Sequence, residues 1–169
     1  MPWHHRYGEG TNQRTSGNFM AQQLGTQKII VGVDGSEASL EALRQARNLA
    51  HSLNARIEAV GCWENPRMYD GYVLMGIEGF RESAEKVVTQ AVKTVFGTEM
   101  PPHVTINLIQ GDPKSALVKA SENADFLVVG RRGHGKLGKL LIGSVSASCI
   151  AHAKCPVLVV HSQDDGEGR

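Results

Sequence analysis

Residues 130–146 hold the side chains and the spacing best suited to gripping an anion. Glycines at 130, 133 and 143 follow the pattern Gly-x2-Gly-x9-Gly, and Ser144 and Ser146 come close behind. Glycine carries no Cβ, so the backbone can turn tightly there and bring its N–H groups near a ligand. A helical pattern resumes at Ser144, a residue type that favours N-caps. The start of a helix offers unpaired N–H groups and a partial positive charge. Together these features describe a phosphate site. Arg131, Arg132, His134, Lys136 and Lys139 surround it with basic groups, and no carboxylate lies between Asp125 and Asp164. A solvated, charged loop is the plainer reading of the same residues, and serines open helices without any ligand.

Such residues need a rigid frame, and the hydrophobic pattern supplies one. Phe126–Val129 is a short apolar run ending in Gly130 and reads as a buried strand. Lys28–Val33 is a second continuous run, as in a parallel sheet covered on both faces, and Asp34-Gly35-Ser36 breaks it. Ala55–Val60, Val104–Ile109 and Pro156–Val160 give three more strands, of which 104–109 mostly alternates. Between them, Leu40, Leu43, Ala46, Ala50 and Leu53 repeat at helical spacing, as do Phe80, Ala84, Val87, Val88, Ala91 and Val95. A short helix opens with Asp112 as N-cap and Pro113 in its first position, and a last helix runs from Ser144 to Ala153.

Five strands alternating with four helices predict a single-domain α/β fold, an open parallel five-stranded sheet with helices on both faces. Ligands of such sheets sit beyond the carboxyl ends of the strands, where strand order reverses. With the first and fourth strands as neighbours there, Asp34 faces the glycine loop across one crevice. Asp34 is then either a ligand-facing carboxylate or the turn and cap residue before a helix.

The 169 residues suit one domain, expected over 27–162, with a mobile extension over 1–26 and a polar tail over 163–169. A net charge of +1 argues against bulk binding to nucleic acid or membrane. No apolar run reaches the ~18 residues of a membrane span, and residues 1–26 lack the apolar core of a secretory signal. Three cysteines, Cys62, Cys149 and Cys155, read as reduced thiols of a cytoplasmic protein. Cys149, His152 and Cys155 stand three apart, but no fourth zinc ligand is evident and structural roles are the better reading. Trp63 either covers a bound base or packs into the following loop.

Two phosphate motifs fail on the residues. Gly135-Lys136 and Gly138-Lys139 are each followed by leucine, where a P-loop needs serine or threonine. Gly133-His134-Gly135-Lys136-Leu137-Gly138 matches Gly-x-Gly-x-x-Gly, but no helix opens in it and no carboxylate follows to hold a ribose. The remaining description, Gly130-x2-Gly133-x9-Gly143-Ser144, resembles the ATP-binding subgroup of the universal stress proteins. Val31-Gly32-Val33-Asp34-Gly35-Ser36, Gly111-Asp112-Pro113 and Cys155-Pro156-Val157-Leu158-Val159-Val160 resemble that family's other marks, in the right order.

The resemblance implies strand order 3-2-1-4-5, the adenine nucleotide alpha hydrolase-like fold. It also implies a homodimer through the last strand, Val157, Leu158, Val159 and Val160. ATP and Mg²⁺ are expected across the ends of the first and fourth strands, with Asp34 on the ribose and metal side as the metal's carboxylate. Val60 and Gly61 lie by the adenine, and Gly130 and Gly133 along ribose and phosphates. Gly143, Ser144, Val145 and Ser146 hold phosphate oxygens, and Val33, Ser36, Val129, Arg131 and His134 complete the binding set. Arg131 is bulkier than the small residue common there, and points either into the site or outward. The implied function is an ATP-dependent regulator, tied to stress or growth arrest, whose occupancy changes dimer contacts or partner binding. A slow ATP hydrolase or phosphotransferase is the rival reading, although no residue is clearly placed as a base. A scaffold that keeps the motif and binds no nucleotide is a third.

Overall fold

A computed structural model describes residues 27–64, 77–133 and 142–162. The extension over 1–26, the tail over 163–169, His134, Lys136 and Lys139 lie outside the described residues. The elements run β1 (Lys28–Gly32), α1 (Glu37–Leu53), β2 (Arg56–Trp63), α2 (Ile77–Phe96), β3 (Val104–Gln110) and α3 (Pro113–Ala120). A short 3₁₀ turn (Ser121–Asn123), β4 (Phe126–Gly130), α4 (Ser144–His152) and β5 (Val157–Val160) complete them. The five strands pair in parallel in the order β3-β2-β1-β4-β5, as expected.

Burial explains the sequence pattern strand by strand. Ile29 and Val31 of β1 and Val128 of β4 point to the face covered by α1 and α2. Ile30, Leu127 and Val129 point to the face covered by α3 and α4. Both central strands are therefore buried on both sides and read as continuous apolar runs. The edge strand β3 alternates instead: Val104 is buried, whereas Thr105 and Asn107 are exposed. Only eight residues long, α3 leaves the starts of β2 and β3 open on its face. A polar trio occupies that opening. The Lys28 ammonium lies 2.5 Å from a Glu58 carboxylate oxygen, and the Asn107 amide donates to the other at 2.8 Å. Burial raises the Glu58 pKa, but the bonds from Lys28 and Asn107 outweigh it and hold the carboxyl below its ordinary value.

Three of the boundaries that differ from the sequence reading bear on the site. The strand expected over Ala55–Val60 runs on to Trp63, which pairs with Gln110. Gly61 sits inside it and not at its end, because a Cβ there would overlap Val88 of α2; the glycine lets helix and strand approach closely. β1 stops at Gly32, although the Val33 N–H still donates to the Val60 carbonyl at 2.9 Å. Finally, Gly143 is the N-cap of α4, and Ser144 is its first helical residue.

Candidate functional site

The first link of β1 crosses to one face of the sheet and that of β4 to the other, so a crevice opens between their carboxyl ends. A cleft of about 740 Å³ lies there. Val33, Asp34, Ser36, Val60, Gly61, Val129, Gly130, Gly133, Gly143, Ser144, Val145 and Ser146 all line it. Arg131 does not, whereas its neighbour Arg132 does. The Arg131 N–H donates to the Val160 carbonyl at 2.7 Å, extending the β4–β5 pairing by one residue. Its carbonyl accepts the Gly143 N–H at 2.8 Å, tying together the two ends of the loop. Pairing that continues past the strand's glycine fixes which arginine faces the cleft. His134 lies outside the described residues.

The polar end is built by α4 and by the turn after β1. The first helical bond of α4 runs from the Ala147 N–H to the Gly143 carbonyl at 2.9 Å. The N–H groups of Ser144, Val145 and Ser146 precede it and have no intrahelical acceptor, which leaves the positive end of a nine-residue helix at the cleft. The two serines do different things. Ser146 is 4% exposed, and its hydroxyl donates to the Gly130 carbonyl at 2.6 Å, pinning α4 to the end of β4. Ser144 is exposed and lines the cleft wall.

Across from them, Asp34 is exposed, and its Oδ1 accepts from the Ser36 N–H at 3.0 Å and the Ser36 hydroxyl at 2.5 Å. Ser36 in turn caps α1 by accepting the Ser39 N–H at 3.2 Å. Asp34 is therefore not the cap of α1 but braces the residue that is. Gly133 lies against the second carboxylate oxygen so closely that any Cβ would overlap it. The glycines of the motif do not serve tight turns: the described glycines with positive φ are Gly35, Gly97 and Gly111. Gly130 is required by packing, since a Cβ there would stand 2.7 Å from the Ala38 backbone carbon.

The far end is apolar. Cys62 and Trp63 of β2, Phe80, Ala84 and Val87 of α2, and Leu117 of α3 form its walls. Trp63 thus lines the cleft, and the loop after it lies outside the described residues. Phe80, Ala84 and Val87 read from sequence as core, and their helical spacing carries no sign that the α2 stripe overhangs the sheet's end. Burial first, then the nearby Asp112 carboxylate, pushes the Cys62 thiol up to about 11. It stays protonated at neutral pH and serves as wall, not nucleophile. Cys149 is fully buried in the core beneath α4 while His152 is exposed, so their three-residue spacing does not bring them to one accessible face.

Few charged side chains among the described residues line the cleft. Among the described residues Arg132 is the one basic side chain lining it, and Asp34 and Glu64 are the carboxylates. No three metal-ligating side chains come together among the described residues, so a divalent ion here would need oxygens from its ligand. No described helix is long and apolar enough to cross a membrane.

Comparison with known proteins bears on the whole described unit. The sequence model of the Universal stress protein family matches residues 25–161. A universal stress protein of Thermus aquaticus is 35% identical over 136 residues, covering 78% of this chain and 96% of the relative. The universal stress protein UspA from Lactobacillus plantarum matches in structure with a TM-score of 0.67 at 22% identity, over 79% of this chain and 97% of that one. That likeness speaks to the fold. A universal stress protein solved in complex with cAMP matches with a TM-score of 0.53 at 28% identity, over 81% of this chain and 98% of that one.

Proposed function

The chain belongs to the universal stress protein family, and we propose that it is a nucleotide-binding regulator taking ATP with Mg²⁺ in the cleft between β1 and β4. The observation that carries this reading is the meeting in one cleft of the α4 N-terminus, the Asp34–Ser36 pair and the backbone of 130–133. Phosphate oxygens would accept from the N–H groups of Ser144, Val145 and Ser146 and from the Ser144 hydroxyl. The Ser146 hydroxyl holds α4 in place through its bond to the Gly130 carbonyl, so its backbone N–H is the group we assign to phosphate. Asp34 would hold the metal. Mg²⁺ is commonly bound by one or two carboxylates plus substrate phosphates, which suits a polar end with a single carboxylate. When bound, the ion would offset phosphate charge that Arg132 alone cannot. The base would lie at the apolar end by Val60 and Gly61, with Trp63 and Phe80 beside it. The likeness to a cAMP-bound relative supports the nucleotide class.

Binding is favoured over turnover. A general base must sit within hydrogen-bond reach of the attacking group, and one oxygen of Asp34 is already committed to Ser36. Occupancy would then act through assembly. β5 is a sheet edge whose Leu158 is 41% exposed, and an open edge invites a second strand, which supports a homodimer through Val157, Leu158, Val159 and Val160. Thermal unfolding tests the proposal. ATP with Mg²⁺ should raise Tm saturably, with about 2.7 kcal/mol of added stability at a hundred times Kd. A melting curve that no nucleotide shifts would leave the nucleotide-free scaffold as the reading.

A further inference from the structure

A second cleft, of about 420 Å³, lies at the opposite end of the sheet from the nucleotide site. It forms where the C-terminal ends of α1 and α2 meet the starts of β2 and β3. Four of its side chains, Arg47, His51, Arg56 and His103, are basic, and no carboxylate among the described residues lines it. Its floor is apolar, made by Ala50, Val95 and Phe96, with Ala50 and Val95 buried. Two large apolar side chains stand next to it in sequence and exposed, Leu53 at 36% and Met100 at 49%.

Two helix C-termini would ordinarily make such a place negative. Here one of the terminal carbonyls, that of Val95, is engaged by a side chain. The Ala50 carbonyl accepts the Asn54 and Ala55 N–H groups, and Lys93 accepts from Gly97. The Val95 carbonyl accepts one N–H of the Arg47 guanidinium at 2.8 Å. That bond uses one of the five guanidinium donors, fixes the group at the cleft and leaves the rest of the fork able to take a carboxylate. Basic side chains, and no carboxylate among the described residues, then face the cleft.

We infer that this cleft is a docking site for an acidic segment of a protein partner. Carboxylates of that segment pair with Arg47 and Arg56, and an apolar side chain between them covers Ala50, Val95 and Phe96. Charge complementarity disfavours the chain's own residues 1–26, which carry Arg6 and Arg14 against the single carboxylate of Glu9, and the acidic Asp164, Asp165 and Glu167 follow β5, whose carboxyl end lies beside Gly130 at the other end of the sheet. The site is separate from the nucleotide cleft, so a partner held here leaves that cleft accessible.

The test uses the full chain and a short fluorescent peptide that alternates aspartate with leucine, read by anisotropy, with amide shifts mapping the contact. Saturable binding is expected, with shifts gathered in 47–56 and 95–103. Arg56→Glu should weaken it about tenfold or more, since like charges brought together in an interface cost several kcal/mol. His103→Glu provides an independent second variant, and Arg132→Ala, at the other end of the sheet, should leave peptide affinity unchanged. Equal binding of the asparagine counterpart, full affinity in both charge-reversed variants, or shifts in the nucleotide cleft would each overturn the inference. So would displacement by inorganic phosphate at matching affinity, which would make this a small-anion site.

Discussion

Gly133→Val should remain folded and bind ATP about a hundredfold more weakly than the parent chain, a loss of about 2.7 kcal/mol. The reason is local. Gly133 is exposed, so the new side chain displaces no core residue. Its Cβ, however, would overlap the Asp34 carboxylate, and its methyl groups would enter the polar end of the cleft. Either Asp34 swings away and gives up its bonds to Ser36, or the 130–133 backbone withdraws from the phosphates. A double-mutant cycle separates the two. If the conflict is with Asp34, Gly133→Val should cost much less in an Asp34→Ala background, because contacting residues couple non-additively. Unchanged ATP affinity in a folded Gly133→Val chain would remove this loop from the site.

Gly130→Ala should act on stability instead, costing about 1–3 kcal/mol, the usual range for overpacking a well-filled interior. The added Cβ would stand 2.7 Å from the carbon and 2.8 Å from the oxygen of the Ala38 carbonyl. These are backbone atoms that no rotamer change can move aside, so α1 must lift from β4. Gly143→Ala is the matched control. Its Cβ would meet the Arg131 oxygen at 3.3 Å, and its φ of −69° suits alanine. Urea unfolding should show a clear drop in midpoint for Gly130→Ala and a small change for Gly143→Ala. Equal midpoints would mean that α1 is not seated on β4 as closely as described.

These two glycines show what a sequence does and does not reveal. Their spacing marked the loop, yet the reasons for them are steric relations to Ala38 and Asp34, residues about a hundred positions away. The doubly buried strands β1 and β4 were legible because both faces demand apolar residues, and β3 because its exposed side alternates. Gly61 looks like a terminator of β2 in the sequence, whereas it is a point of close approach to Val88 of α2. Ser144 passed for the N-cap by residue type, although the backbone gives that place to Gly143. Nothing in Arg131-Arg132 says which faces the cleft, since that depends on Arg131 pairing with Val160. The apolar end was hidden for another reason: a helical stripe looks the same over a sheet as beyond its end.

A site whose described residues supply one cation, a helix N-terminus and a braced carboxylate is better equipped to hold a nucleotide than to cleave it. Phosphoryl transfer requires charge stabilisation aimed at the transition state and a positioned acceptor. The most direct test is calorimetric titration of nucleotide-free chain with ATP and Mg²⁺, with released phosphate assayed in the same sample. Saturable binding at one site per chain, with turnover far below the ~1–100 s⁻¹ of kinases, is the result expected. No heat of binding, or turnover in that range, would contradict a nucleotide-dependent regulator.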